Sequence, residues 1–254
     1  MNQRRFAILR EMGLTPLWRL RASAVAAEAE VDIPRLPPEE APGRDDSERP
    51  APALANVSPA GFSRVAAMDW PELEETIRAC RACVLCEKRI QAVPGVGDRQ
   101  ARWMFVGEGP GAEEDQRGEP FVGQAGRLLD RMLAALGLDR SKDVYIANAV
   151  KCRPPHNRTP EVAEIAACAA FLDRQIDLIR PRLLIALGRP AAQVLLGREI
   201  GIAGARGKRF ERDGVPVIVT YHPAYLLRNP QDKGKAWEDL CFARRLVTEH
   251  AKTQ

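Results

Sequence analysis

The sequence predicts an α/β fold: a three-layer α/β/α sandwich around a central, mostly parallel, four-stranded sheet. Three observations carry this. From about Asp69 onward, short apolar runs alternate with stretches of helical period. The helical stretches close on glycines such as Gly137 and Gly197, which mark helix ends. The segments richest in Gly, Pro and His follow the apolar runs directly, where open α/β sheets bind ligands.

The elements follow in order. Trp103 to Val106 is a short apolar strand ending at Gly107. Gln124 to Leu136 reads as a helix, with Leu128, Leu129, Met132, Leu133 and Leu136 on one face. Val144 to Val150 is the second strand. Pro160 to Ile179 is a long helix, with proline in its first turn. Leu183 to Leu187 is a fully apolar strand, and Pro190 to Leu196 a helix stopped by Gly197. Phe210 to Thr220 bends around Asp213-Gly214, a hairpin signal, and ends in the strand Val215 to Thr220. Lys235 to His250 is a last helix.

Composition sets the frame. The 254 residues are 45% hydrophobic, enough for one core plus a tail. No run of about 18 apolar residues occurs, so no membrane span is expected. The charged N-terminus lacks a following apolar stretch and does not read as an export signal. A cytoplasmic setting follows, and six cysteines there suggest metal ligation over disulfides. The net charge of +4 permits a polyanionic partner without proving one.

Three regions are expected. Residues 1–29 carry a short amphipathic stretch (Phe6, Ile8, Leu9, Met12) followed by Gly13-Leu14-Thr15-Pro16-Leu17-Trp18-Arg19-Leu20-Arg21. Residues 30–65 are rich in proline and charge and read as a disordered linker. Residues 66–254 form the globular domain.

Cys80, Cys83 and Cys86 are spaced three apart, and Cys152 and Cys168 follow. A close pair plus two distant cysteines can supply four thiolates to one metal centre, tying three segments together. Spacing alone does not separate zinc from an iron–sulfur cluster. Cys241 reads as an ordinary core residue.

The strand-end loops carry the other candidates. Gly107-Glu108-Gly109-Pro110-Gly111 lets backbone amides approach a ligand closely. Phe121, held between proline and glycines, could cap the core or stack on a planar ligand. Asn148, in an apolar strand, needs partners; its amide could read the edge of a base or bond the backbone. His222 opens His222-Pro223-Ala224-Tyr225-Leu226-Leu227 after the last strand, where a catalyst would sit. Leu226 and Leu227, beside Arg228, fit an exposed wedge into stacked DNA. The cysteines alone would also suit an electron-transfer protein or a zinc-stabilised binding module, but the Asn148 and His222 loops would then lack a purpose.

Together, Gly107-Glu108-Gly109-Pro110-Gly111, Pro120-Phe121-Val122-Gly123-Gln124-Ala125-Gly126, Asn148-Ala149-Val150-Lys151-Cys152-Arg153-Pro154-Pro155 and His222-Pro223-Ala224-Tyr225-Leu226-Leu227 resemble the family 4, iron–sulfur uracil-DNA glycosylases. The resemblance runs from about Cys80 to Pro230. It implies that fold, a 4Fe–4S cluster, and hydrolysis of the bond between uracil and deoxyribose in single- or double-stranded DNA. A monomer is expected. The family's ligand pattern falls on Cys80, Cys83, Cys152 and Cys168, leaving Cys86 extra, with Cys83/Cys86 as an alternative pair. Phe121 would stack on a flipped uracil, Asn148 would bond its Watson–Crick edge, and His222 would donate to O2, with Gly109 and Pro110 lining the pocket. Lys88, Arg89, Lys151 and Arg153 would face phosphates. Family 1 enzymes carry Asp where this chain has Gly109. That leaves Glu108, or a neighbour such as Asp115, or no strong base, to orient water. The basic, His-containing insertion of the branch that captures uracil-DNA covalently is not matched here. Leu9-Arg10-Glu11-Met12-Gly13-Leu14-Thr15-Pro16-Leu17-Trp18-Arg19-Leu20 resembles the N-terminal peptide by which the psi subunit of bacterial replicative polymerase docks on chi. That resemblance implies a replication or repair protein as partner of residues 1–21; an inert or self-packing tail is the alternative reading.

Overall fold

The computed structural model describes residues 64–252. The docking-like segment and nearly all of the expected linker lie outside them. A six-stranded sheet forms the centre, in the order β1-β3-β2-β4-β6-β5. Its strands are β1 (Val96–Gly97), β2 (Trp103–Gly107), β3 (Val144–Asn148), β4 (Leu183–Leu187), β5 (Arg209–Arg212) and β6 (Val215–Thr220). The inner four, β3-β2-β4-β6, are parallel, and the short edge strands β1 and β5 are antiparallel. The parallel core was thus legible from sequence; the two edge strands extend it.

Period-two alternation builds two cores. Trp103 and Phe105 of β2, Val144 and Ile146 of β3, and Leu183 and Ile185 of β4 face one side. They meet Leu128, Leu129, Met132, Leu133 and Leu136 of helix α3 (Gln124–Leu136), and Trp237 and Leu240 of α8 (Lys233–Lys252). Met104, Val106, Tyr145, Ala147, Leu184 and Ala186 face the other side, against Leu172 of α4 (Val162–Ile179) and Leu195 of α5 (Arg189–Leu196). Buried side chains on both faces explain why the strands read as continuous apolar runs.

The element ends have local causes. Gly137 and Gly197 take left-handed conformations just past α3 and α5, as their placement in the sequence implied. Asp213 (φ 48°) and Gly214 (φ 81°) form the tight turn between β5 and β6. Two boundaries differ from expectation. Strand β3 stops at Asn148, although Ala149 and Val150 still donate to the carbonyls of Gly107 and Glu108. Helix α4 starts at Val162, not Pro160, because Glu161 and Glu164 form a capping box.

Four α-helices among the described residues went unread. Helix α1 (Trp70–Ala79) is capped by Asp69, whose Oδ1 accepts from the Glu72 amide at 3.0 Å. Helix α2 (Ala112–Arg117) follows the glycine-rich loop, and α7 (Pro223–Arg228) follows His222. Helix α7 replaces the exposed loop expected at Leu226 and Leu227. Leu226 is 0% exposed and packs in the first core, so it is not available as a wedge; Leu227 is 41% exposed. The fourth unread helix is the short α6 (Ile202–Ala205). Among the described residues, no helix is long and apolar enough to cross a membrane.

All four parallel strands end on one edge of the sheet, with Gly107 paired to Asn148 and Leu187 to Thr220. The chain leaves β2 toward β3 on one side, whereas β4 leads to β6 on the other. The reversal opens a crevice beside the ends of β2 and β4.

Candidate active site

A cleft of about 630 Å³ occupies that crevice. It gathers Glu108, Gly109 and Pro110 after β2, Phe121 before α3, Asn148 at the end of β3, Gly188 and Arg189 after β4, and His222 after β6. The residues singled out in four separate sequence segments therefore line one cavity.

Missing side chains make the cleft possible. A Cβ on Gly107 would lie 2.4 Å from Asn148 Oδ1 and 2.7 Å from the Phe121 ring, so only glycine lets these two meet. A Cβ on Gly126 would lie 1.8 Å from the Phe121 carbonyl oxygen, so this glycine lets α3 start beneath the Phe121 loop. Phe121 itself sits at φ 55°, a conformation that costs a β-carbon residue energy. Arg140 holds the loop by donating to the Pro120 carbonyl at 2.7 Å. The ring ends 5.4 Å from the His222 ring, at a tilt of 32°.

Glu114 ties two of these loops together. Its Oε2 accepts from the Gly111 amide at 3.1 Å, and its Oε1 from Val122 and Gly123 at 2.9 and 3.1 Å. This role, hidden in the run Ala112 to Asp115, depends on chain folding and had no sequence signal beyond the capping-box spacing. Asp115, considered as a water-orienting acid, turns away from the cleft. It is buried, and its Oδ1 accepts from Ile90 and Gln91 at 2.9 and 3.3 Å. Glu108 lines the cleft as well. Burial raises its pKa above the usual carboxylate value, opposed by a hydrogen bond to Thr159 and the charge of Arg189.

Asn148 is 1% exposed, and its Oδ1 has no hydrogen-bond partner. A buried, unpaired carbonyl oxygen costs free energy unless a ligand donor meets it. His222 is fixed differently. It caps α7, and its Nδ1 accepts from the Ala224 amide at 3.1 Å. A nitrogen that accepts carries no proton, so the neutral ring carries its proton on Nε2. Burial, then the charge of Arg228, lowers its pKa to about 4, with Glu114 opposing. Gly188 leaves room for it: a Cβ there would lie 3.1 Å from His222 Cβ.

A Cβ on Gly109 would lie 2.8 Å from Val150 Cγ2. An Asp is therefore not accommodated here without displacing Val150.

Beside the cleft lies a third apolar cluster. It contains Cys152 and Cys168, both buried, with Cys80 and Cys83 packed against it beneath α1. Cys80, Cys83, Cys86, Cys152 and Cys168 are free thiols. Burial is the first cause that raises the thiols of Cys83, Cys152 and Cys168, the last two to about 11 and about 12. Cys80 acts electrostatically on Cys83, Cys152 and Cys168, whereas Cys86 acts on Cys83. Two sulfurs already accept hydrogen bonds. Arg89 donates to Cys152 Sγ at 2.7 Å, and the Lys151 amide to Cys168 Sγ at 3.3 Å. Among the described residues, no three His, Cys, Asp or Glu side chains stand in ready metal-binding geometry.

Two residues expected at phosphates are committed elsewhere. Lys151 is 1% exposed and bonds the Asn148 carbonyl and Gln175. Arg89 spends its guanidinium on Cys152 and on the carbonyls of Arg78 and Cys80. Lys88 is exposed and Arg153 half-buried. Arg158 and Arg189, not singled out in the sequence, line the cleft together with Arg228.

Comparison with known proteins adds an independent finding. Residues 94–241 match the family model of the Uracil DNA glycosylase superfamily. The Type-4 uracil-DNA glycosylase of Thermotoga maritima is 48% identical over 159 residues, covering 62% of this chain and 82% of that protein. The Type-4 uracil-DNA glycosylase of Pyrobaculum aerophilum is 45% identical over 183 residues, covering 69% and 93%. That of Sulfurisphaera tokodaii is 43% identical over 185 residues, covering 69% and 84%.

Proposed function

The chain belongs to the uracil-DNA glycosylase superfamily, and we propose that its cleft takes up a uracil turned out of DNA and hydrolyses the N-glycosidic bond. The products are free uracil and an abasic site, as base excision repair requires. A base inside a duplex cannot be reached, so extrusion comes first. The observation that carries this reading is the buried, unpaired Oδ1 of Asn148 beside the Phe121 ring. Uracil offers what that oxygen lacks: N3–H donates to Oδ1, while the Asn148 amide nitrogen donates to O4. Cytosine presents an acceptor and a donor in the reverse order, leaving two groups mispaired. Phe121 stacks on the base.

Cleavage draws electrons onto uracil O2 and leaves positive charge on the sugar. Neutral His222, with its proton on Nε2, donates to O2 and stabilises the leaving anion. An imidazolium is not needed, which fits the depressed pKa. Glu108, as carboxylate, positions water and faces the developing positive charge; Gly109 and Pro110 complete the wall. Leu227, exposed on α7, is the residue left to fill the gap in the duplex.

The thiols suit a 4Fe–4S cluster. Four of them share one packed cluster, and two sulfurs accept hydrogen bonds of the kind that support thiolate ligands. Cys80, Cys83, Cys152 and Cys168 would hold it. The cluster would supply a brace between the α1 loop, the β3 loop and α4; hydrolysis needs no electron transfer. Free cysteines also agree with a reducing, cytoplasmic setting. Residues 1–21 remain the proposed contact to a replication or repair protein.

Mass-spectrometric detection of free uracil after incubation with uracil-containing single and double strands tests the reaction. Uracil from a uracil-containing strand, and no base from a thymine-containing one, is the expected result. DNA binding without any released base contradicts it.

A further inference from the structure

Lys151 is a charged side chain with almost no exposure, and the reaction above does not use it. Its Nζ donates to the Asn148 main-chain carbonyl at 2.8 Å and to Gln175 Oε1 at 2.6 Å. Gln175, also buried, donates through Nε2 to the Pro94 carbonyl at 2.8 Å and to the Tyr145 hydroxyl at 3.3 Å. Among the described residues, no carboxylate pairs with Lys151. The facing charged groups are the thiols of Cys168 and Cys152 and the carboxylate of Asp173, which is itself bound to Arg212 at 2.6 Å. A buried ammonium whose hydrogen-bond acceptors are both neutral is costly to bury.

The position of its first acceptor matters. Asn148 is the last residue of β3, where the ladder ends and the chain turns toward Cys152. The residue's amide side chain is buried between Gly107 and Phe121. Rotation of the Asn148 peptide would swing that side chain off the base edge. Lys151 holds the carbonyl against such rotation, and the Lys151 amide holds Cys168 Sγ at 3.3 Å. One residue thus grips the base-reading strand end with its side chain and the thiol cluster with its backbone.

We propose that Lys151 is a positioning residue for uracil recognition: together with Gln175 it locks Asn148 in register and ties that lock to the thiol centre. The proposal rests on the glycosylase reading. Its test is binding, not turnover, on the full chain purified anaerobically. One oligonucleotide carries 2′-fluoro-2′-deoxyuridine, which resists hydrolysis; another carries a tetrahydrofuran abasic analogue. The ratio of the two affinities isolates base recognition. K151M with iron content retained should lower that ratio on the order of 10- to 100-fold, as expected on losing a hydrogen bond to a charged group. Affinity for the abasic strand should stay the same. An unchanged ratio overturns the proposal. If K151M loses its iron or does not fold, Q175L supplies the same measurement, with an expected fall of about 10-fold; an unchanged ratio there overturns it equally. Failure of the unmodified protein to prefer the uracil analogue or release uracil would instead remove the glycosylase reading beneath it.

Discussion

Gly107→Ala is the substitution for which the structure gives the sharpest expectation. Gly107 has an ordinary extended backbone, so alanine meets no dihedral penalty. The whole effect comes from one methyl group. It would stand 2.4 Å from Asn148 Oδ1 and 2.7 Å from two atoms of the Phe121 ring, inside van der Waals contact for each. Both neighbours are buried, so neither can swing into solvent. Relief requires that the base-reading amide, the stacking ring, or both, move by the better part of an ångström. Overpacking of this size costs about 1–3 kcal/mol of stability. At roughly 2–4 °C per kcal/mol for a domain of this size, Tm should fall by about 2–12 °C. Displacement of positioning groups by ~1 Å costs about 10²-fold in rate. The assay is alkaline cleavage of a labelled uracil oligonucleotide under single-turnover conditions, beside a thermal melt. A large loss of rate with a modest loss of Tm is expected. A variant within about threefold of the unmodified rate would refute the argument that Gly107 creates the space in which Asn148 and Phe121 meet.

Other outcomes follow from the same geometry. His222→Ala should lower single-turnover rate by about 10²–10³-fold, the scale of one oxyanion donor, with DNA affinity retained in a gel-shift assay. Because the folded pKa of His222 lies below its ordinary value, at about 4, its protonation should not limit turnover from pH 5 to 8. Its contribution to stability should be complete above about pH 6.5 and decline as pH falls from there toward 4, visible in melts across that window. Glu108 has a raised pKa, so the acidic limb of the rate profile should reflect its protonation above the ordinary carboxylate value; Glu108→Gln should lower the plateau and shift that limb down, and an unmoved limb would count against its role. Cys168→Ser should abolish bound iron and the associated visible absorption, and should lower Tm, whereas Cys86→Ser should leave both intact; iron loss in the latter would favour the Cys83/Cys86 pair.

The legible part of the sequence was the part governed by local rules. Alternating apolar residues in β2, β3 and β4 and the stripe Leu128 to Leu136 declared their faces directly, because burial on a sheet enforces a period of two and on a helix 3.6. The glycines after α3 and α5 declared the stops. Edge strands β1 and β5 were harder, since Val96–Gly97 is too short to show a period and β5 is half-exposed. The helix after His222 was misread because Leu226 and Leu227, adjacent in sequence, point in different directions, one into the core and one into solvent. At the site, the identities of Phe121, Asn148 and His222 stood out as unusual residue types at strand ends. What could not be read was how their neighbours are spent. Asp115 and Glu114 both look like free acids, yet each accepts hydrogen bonds from backbone amides brought in from other loops. Lys151 and Arg89 look like phosphate contacts, yet folding aims one at a strand end and the other at a thiol.

The most direct measurement compares three labelled oligonucleotides, identical except for one uracil, cytosine or thymine, incubated with the anaerobically purified chain and with its His222→Ala variant, then treated with hot alkali. Breakage at uracil alone, retained by the unmodified chain and largely lost by the variant, is the predicted result. Equal breakage at cytosine would contradict the reading of Asn148, and an active variant would contradict the role given to His222.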